Sequence, residues 1–327
     1  MGKRIIGLGN ALADILTRIE SDLLLDELGF GRGSMNLVER NVHEKIAART
    51  DGLDRTVIPG GSAANTVRGL GQLGVECSYI GKIGRDPVGD FMNEHMTDLG
   101  VRPQLIRSNI PTGQCMVLVS PDGERTMATF LGAAIELTGP EITPEMLTPY
   151  DILHIEGYLV QNHDLIREAV RKAKAAGLTV SLDMASYNVV EENLDFLKGL
   201  VAEYVDLLFA NEDEARAFTG KEPEEAVWEI GGLCEIAVVK TGEKGSLIAH
   251  SGELIPIDPV PAQVIDTTGA GDLYATGFLY GLSEGLTLRE CGDIGSLVAA
   301  KAIETIGPAL TDDRLEMIKE YLQTHNK

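Results

Sequence analysis

The sequence has few cysteines and no long apolar run, and each shortage excludes a class of protein. No apolar stretch approaches the 18 residues that a membrane-spanning helix requires. The four cysteines, Cys77, Cys115, Cys234 and Cys291, lie far apart and form neither a C-x-x-C pair nor a zinc-binding pattern. We therefore expect buried free thiols in a reducing compartment.

Basic residues are also scarce. The 327 residues include 28 Lys and Arg against 50 Asp and Glu, which gives a formal net charge of −22. Because a phosphate backbone and an anionic bilayer both attract clustered Lys and Arg, this balance argues against nucleic acid and membrane partners. The first 14 residues lack the apolar core of a signal peptide, and we expect a cytoplasmic protein.

Short apolar runs alternate with helical stretches along most of the chain. The runs predict strands, and the stretches between them predict helices such as 62–73 and 164–176. The predicted strands are 5–9, 77–80, 151–155, 178–183, 205–210 and 236–240. This alternation predicts an α/β fold with a mostly parallel central sheet and helices on both faces.

One region breaks the alternation. Runs 115–119 and 125–130 flank a Ser-Pro-Asp-Gly turn at 120–123, which predicts an antiparallel hairpin. A further β-type patch lies at 34–38. We expect one α/β domain over 1–327 with a small discontinuous β lid formed approximately by 14–59 and 105–131.

The segment 266–272, Asp-Thr-Thr-Gly-Ala-Gly-Asp, opens a predicted helix. Gly269 and Gly271 permit a tight bend, and the first amides of a helix form an anion site. Asp272 beside that site has the chemistry to remove a proton from an attacking hydroxyl. The alternative is an ordinary glycine-rich loop with an Asp that favours a helix N-terminus.

A second glycine-rich turn, Gly60-Gly61, leads into another predicted helix, with Ser62 as its cap and Asn65 in its first turn. Two glycines let backbone amides approach a polyol closely. The alternative is a plain loop and cap.

Segments 60–65 and 266–272 together resemble the two signatures of the ribokinase-like (PfkB) carbohydrate and nucleoside kinases. Their order and spacing, with the α/β pattern, extend the resemblance over essentially the whole chain. It implies a ribokinase-like three-layer fold and an ATP-dependent phosphotransferase that uses Mg²⁺ and, in many members, K⁺.

The resemblance also implies roles for single residues. Asp272 corresponds to the catalytic base, and the amides of Gly269, Ala270 and Gly271 correspond to the anion hole for the transferring phosphoryl group. The segment beginning at Asn211 matches the family's N-x-x-E motif, in which Glu214 would organise Mg²⁺ through water.

Further matches concern ATP and a monovalent cation. Thr241, Gly242 and Gly245 correspond to a turn that, with Asn211, contacts ATP. Asp266 and Thr268 match the start of a monovalent-cation loop whose carbonyl ligands would come from 303–307.

The acceptor is less constrained by the sequence. The residues implied to bind it are Asn10, Asp14, Gly60, Gly61 and Asn65. The Gly-Gly-Ser-x-x-Asn form resembles the adenosine-kinase branch, so adenosine is the first choice and a free sugar such as ribose or fructose the second. Aromatic residues make up only 5% of the chain, so a purine base could be held between Leu or Met side chains as readily as by stacking on an aromatic ring. A ligand-binding homologue without activity is the third hypothesis. The sequence is compatible both with a monomer and with a homodimer that forms through the lid.

Overall fold

The computed structural model describes residues 2–121 and 123–325, and within them the chain forms fourteen strands and thirteen α-helices. The strands are β1 Ile5–Leu8, β2 Leu12–Arg18, β3 Met35–Leu37, β4 Arg55–Gly60, β5 Cys77–Gly84, β6 Val101–Ser108, β7 Gly113–Val119, β8 Arg125–Phe130, β9 Ile152–Glu156, β10 Thr179–Asp183, β11 Leu207–Asn211, β12 Ile236–Lys240, β13 Ser246–His250 and β14 Glu253–Ile257. The helices are α1 Leu23–Leu28, α2 Arg40–Arg49, α3 Ser62–Gln72, α4 Pro87–Asp98, α5 Pro144–Leu147, α6 His163–Ala175, α7 Tyr187–Glu192, α8 Leu194–Tyr204, α9 Glu212–Thr219, α10 Pro223–Gly231, α11 Ala270–Ser283, α12 Leu288–Ala302 and α13 Asp312–His325. None of them is long and apolar enough to cross a bilayer.

Nine strands form the large sheet, in the order β14-β13-β12-β11-β10-β9-β1-β5-β6. The seven strands from β12 to β6 are parallel, and β13 and β14 continue the sheet as an antiparallel hairpin. The α/β fold with helices on both faces is confirmed.

The two faces of the large sheet bury two separate apolar cores. Along β1, Ile6 and Leu8 pack into the core under α6, α8, α9 and α10, whereas Ile5 packs into the core under α3 and α11. Because each strand supplies side chains to both cores, its sequence is a continuous apolar run rather than an alternating one.

The small sheet has five strands in the order β3-β8-β7-β2-β4. Strands β7 and β8 pair antiparallel, with Val119 opposite Arg125. Asp122, in the turn predicted between them, lies outside the described residues, while Gly123 has a φ of +94° and donates to the Ser120 carbonyl at 2.9 Å. A left-handed residue at that place is what the glycine permits.

The four cysteines are buried and free. Burial raises the pKa of Cys77, Cys234 and Cys291 to about 12. The thiolate is the reactive form, so these thiols are chemically inert at neutral pH.

Helices α11 and α12 cross where Gly277 lies, and this contact generates a testable prediction. A Cβ at Gly277 would lie 2.6 Å from the Ile294 carbonyl oxygen and 2.8 Å from the Gly295 Cα. Gly277→Ala should therefore destabilise the protein by about 1–3 kcal/mol, as overpacking does.

Gly199, an exposed helical glycine in α8 with open space where a Cβ would stand, provides the matched control. Gly199→Ala should stabilise by up to about 1 kcal/mol, because alanine lowers the entropy of the unfolded chain. Urea unfolding of both variants measures the difference. Equal effects would contradict the packing of α11 on α12.

Candidate active site

The candidate site lies at the edge of the large sheet where its parallel strands end. Each of five neighbouring strands has a polar residue at or just beyond its carboxyl end. They are Asn10 after β1, Glu156 on β9, Asp183 on β10, Asn211 on β11 and Lys240 on β12. All five line one cavity of about 610 Å³. Open α/β sheets bind ligands at the carboxyl ends of their strands, and this volume suits a small molecule.

Asp272 lies in the first turn of α11 and lines the cavity. Its Oδ1 accepts a hydrogen bond from the Ser62 hydroxyl at 2.7 Å, and its Oδ2 accepts one from Asn65 Nδ2 at 2.9 Å. Burial raises the pKa of Asp272 to about 7, although these hydrogen bonds oppose the rise. Each oxygen keeps a lone pair for a further donor, so the carboxylate is both fixed and able to accept a proton.

The turn before α11 brings backbone amides to the cavity. Residues 267–271 line it, and Gly269, the residue that caps the helix, has a φ of +73°. The Ala270 amide already donates to the Thr267 carbonyl at 3.1 Å. A Cβ at Gly271 would lie 3.0 Å from Lys240 Nζ, so a helix N-terminus and a lysine ammonium meet on one side of the cavity.

Lys240 and Asp183 form a buried ion pair with 2.8 Å between Nζ and Oδ2. Burial opposes the lysine charge, but the carboxylates of Asp183 and Glu214 outweigh it and hold the pKa of Lys240 above its ordinary value. Among the described residues that line the cavity, Lys240 is the one basic side chain. Sequence reasoning missed this pair; the recurrence of a polar residue at each strand end was the signal for it.

Asn211 and Glu214 cap α9 reciprocally. Asn211 Oδ1 accepts from the Glu214 amide at 2.9 Å, while the Glu214 carboxylate accepts from the Asn211 amide at 2.7 Å and from its Nδ2 at 2.8 Å. Burial, and next the charge of Asp183, raise the pKa of Glu214 to about 7.

The described residues contain no group of three or more His, Cys, Asp or Glu arranged to hold a metal. Mg²⁺ commonly keeps several waters and binds through one or two carboxylates plus substrate phosphates. Glu214 suits such a role, because each of its oxygens accepts one hydrogen bond and retains a lone pair.

Asp14 lines the opposite side of the cavity from β2 of the small sheet. A Cβ at Gly60 would overlap its carboxylate, so a larger residue there would displace the Asp14 side chain. Burial raises the pKa of Asp14 to about 7, and the nearby Arg68 opposes the rise. Arg68 is buried and donates to the Asn65 side-chain oxygen at 3.0 Å, and sequence reasoning missed this arginine.

Glu156 joins the loop after β1 to the start of α3. Its Oε1 accepts from the amide and side chain of Asn10 at 2.9 and 2.8 Å, and its Oε2 accepts from the Ala63 amide at 3.1 Å. It is 1% exposed, and burial raises its pKa to about 7. The loop after β1 and the start of α3 therefore share one carboxylate.

Asp266 does not have the free oxygens that a cation site needs. Its Oδ1 accepts from the Thr268 amide at 3.0 Å and the Thr268 hydroxyl at 2.8 Å. Its Oδ2 accepts from the Gly307 amide at 2.6 Å and from Arg125 Nη2 at 2.7 Å. A carboxylate has about four acceptor sites, and these donors fill them, so the residues present do not fit a K⁺ ion at this carboxylate.

Comparison with known proteins gives the same assignment as the two signatures. The model of the pfkB family carbohydrate kinases matches residues 35–314. The chain belongs to the PfkB family. It is therefore a kinase of the adenosine-kinase and sugar-kinase type, a phosphotransferase that acts on a hydroxyl group.

Relatives of this PfkB chain include proteins named adenosine kinase and proteins named sugar kinase. The crystal structure of adenosine kinase from Sinorhizobium meliloti is 33% identical, with a TM-score of 0.88, over 98% of this chain and 100% of that one. A probable sugar kinase protein from Rhizobium etli CFN 42 is 32% identical, with a TM-score of 0.89, over 98% and 99%. The adenosine kinase of Saccharomyces cerevisiae is 26% identical over 96% of this chain and 99% of that protein.

Most residues that the PfkB resemblance singled out meet at the cavity, and five do not line it. Those that line it are Asn10, Asp14, Gly61, Asn211, Glu214, Gly242, Thr268, Gly269, Ala270, Gly271 and Asp272. Those outside the lining are Gly60, Asn65, Thr241, Gly245 and Asp266. Gly60 and Asn65 lie behind it, against Asp14 and Asp272, while the Thr241 amide donates to the Gly245 carbonyl at 2.8 Å and closes a turn.

The raised pKa of Asp272 predicts a pH-dependent effect on stability. The folded protein keeps a proton on this carboxyl up to about pH 7, whereas an ordinary Asp releases it near 3.8. Because the folded state binds the proton more tightly, the free energy of unfolding falls as pH rises through this interval. Asp272→Asn removes that contribution, so the Tm of the variant minus the Tm of wild type should increase from about pH 4 to pH 7 and then level off, by about 2–4 °C per kcal/mol relieved.

Thermal unfolding at several pH values measures this difference. The exposed Asp51→Asn provides the control for loss of one surface charge. A Tm difference for Asp272→Asn that stays constant with pH would contradict a raised pKa.

Proposed function

We propose that this PfkB kinase transfers the γ-phosphoryl group of ATP to a primary hydroxyl of a nucleoside, with adenosine and its 5′-hydroxyl as the first choice. A sugar kinase on the same scaffold is the alternative, since relatives of both names cover nearly the whole chain. A cytoplasmic location fits the use of ATP.

The observation that carries the nucleoside assignment is a row of side chains across the small sheet. Asp14 pairs with Cys115, Cys115 with Thr129, and Thr129 with Leu37, and all four line the cavity. Met35 and Met127 pair in the neighbouring row and also line it. One end of this face offers a carboxylate for hydroxyls, and the other offers an apolar surface that suits a flat base better than a second set of hydroxyls.

Asp272 is the proposed general base. A general base works best when its pKa lies near the operating pH, and burial places that of Asp272 at about 7. The hydrogen bonds from Ser62 and Asn65 hold one direction of each oxygen and leave the other toward the cavity. Asp14 and Asn10 would hold the hydroxyl of the acceptor substrate so that its proton faces a free lone pair of the Asp272 carboxylate.

The turn at 269–271 is the proposed anion hole. Because the Ala270 amide already bonds to Thr267, the amides of Gly269 and Gly271 are the first choice for contacts with the transferring group, with Ala270 third. Lys240, beside Gly271, adds a positive charge that does not depend on a metal. Preorganised amides and charges of this kind stabilise the anionic transition state.

Asn211, Thr241, Gly242 and Gly245 form the proposed ATP side of the site, and Glu214 would hold Mg²⁺ through water. The metal would neutralise charge on the β- and γ-phosphates. The side chains of this chain supply orientation: Asn211 fixes both oxygens of Glu214. The other proposed ATP contacts, Thr241, Gly242 and Gly245, lie in the turn after β12.

Asp272→Asn tests the base. The variant should fold and lose roughly 10²–10⁴ in kcat, the usual contribution of general-base catalysis. Steady-state kinetics with saturating ATP and acceptor measure the loss. Asp98→Asn, an exposed acid at the end of α4, is the control, and wild-type turnover in Asp272→Asn would remove the assignment.

Glu214→Gln tests the metal role. The amide keeps the shape and one acceptor oxygen of the cap but removes the charge, so half-saturation by Mg²⁺ should need roughly 10–100-fold more metal. A Mg²⁺ titration of the initial rate measures it. Glu224→Gln, an exposed acid in the first turn of α10 that does not line the cavity, should leave the titration unchanged, and an unchanged titration in Glu214→Gln would count against the role.

An ADP-release screen decides the acceptor. Adenosine, other nucleosides, ribose and fructose are offered with ATP and Mg²⁺, with and without K⁺. Phosphorylation of ribose but not of adenosine would contradict the nucleoside assignment. Tight binding of an acceptor without turnover would favour a homologue that has lost activity.

A further inference from the structure

An arginine of the small sheet is bound to the loop that carries the proposed base. Arg125 begins β8, and its Nη2 lies 2.7 Å from Asp266 Oδ2 while its Nη1 donates to the Thr268 hydroxyl at 3.0 Å. The side chains of Arg125 and Asp266 are 18% and 7% exposed. A paired guanidinium this withdrawn from water is weakly screened and geometrically fixed.

The same carboxylate joins three segments of the chain. Asp266 binds the loop after α12 through the Gly307 amide, its own loop through Thr268, and the small sheet through Arg125. The Ile265 and Asp266 amides both donate to the Ile303 carbonyl, at 2.8 and 3.2 Å. The turn at 267–271 follows directly, so the position of its amides depends on this junction.

A monovalent cation at this junction would have to compete with the arginine. The four acceptor directions of Asp266 are filled, and the guanidinium already neutralises its charge. A second cation close to the guanidinium would be repelled.

We propose that Arg125 takes the place of a monovalent cation in this protein: its guanidinium fixes the 266–272 loop, and phosphoryl transfer does not depend on K⁺. Arg125 is thus a positioning residue that acts on Asp272 through Asp266. The inference rests on the proposed function only in that the loop is the site of phosphoryl transfer.

The test compares wild type, Arg125→Ala and Arg125→Lys in choline chloride, with KCl replacing choline at constant ionic strength. KCl should change the wild-type initial rate by less than about twofold, the scale of a general salt effect. Arg125→Ala should lose about 10–100-fold in kcat in choline, as misplaced groups do, and KCl should restore part of that loss with saturation. Arg125→Lys keeps the charge and should stay insensitive to KCl.

A second measurement does not need turnover. KCl in place of choline should raise the Tm of Arg125→Ala and leave that of wild type unchanged, so the proposal remains testable if the acceptor or the proposed base is wrong. Arg18→Ala, which removes an exposed arginine from the end of β2 in the same sheet, should behave as wild type in both measurements.

Strong activation of the wild-type protein by K⁺ would overturn the proposal. So would an Arg125→Ala variant whose rate and Tm match wild type in choline. If Arg125→Ala fails to fold, K⁺ activation of Arg125→Lys or of wild type still contradicts the inference.

Discussion

The hydrogen bonds that Ser62 and Asn65 donate to the Asp272 carboxylate are the interaction on which the site depends. They join the first turns of α3 and α11, whose sequences lie more than 200 residues apart. Thr66 and Thr276 extend the junction by bonding to backbone carbonyls of the opposite helix. Both glycine-rich turns precede these helices, so the junction sets the distance between the acceptor loop and the anion-binding turn.

This junction carries an electrostatic cost that the fold offsets in part. Asp14, Glu156, Glu214 and Asp272 all have their pKa raised to about 7 by burial. Lys240, Arg68 and Arg125 are the cations set among them. The net charge of −22 therefore says little about phosphate binding, because the field inside the cavity comes from a few amides and the ammonium of Lys240 at short range.

The α/β alternation and the helix starts at Ser62 and Ala270 could be predicted from the sequence because local periodicity and glycine-rich turns encode them, although Gly61 rather than Ser62 caps α3. Eleven of the sixteen residues that the family resemblance singled out line the cavity. Lys240 and Asp183 were missed as site residues because their pairing depends on which strands become neighbours, and Arg68 was missed because its contacts depend on how α3 packs. The pairing of Arg125 with Asp266 spans 141 residues and arises only when the small sheet meets the 266–272 loop. Such contacts are products of tertiary packing, which a pattern within one segment does not contain.

The architecture separates the chemistry from the choice of acceptor. The proposed base, the proposed anion hole and the proposed metal ligand lie at helix starts around the end of the large sheet, and the loop before α11 is also held by Arg125 of the small sheet. The row from Asp14 to Leu37 belongs to the small sheet, where alternate residues face the cavity. Exchanging these few side chains would alter the acceptor without moving Asp272. Such a separation fits the finding that relatives named adenosine kinase and sugar kinase match this chain with similar identity and TM-score.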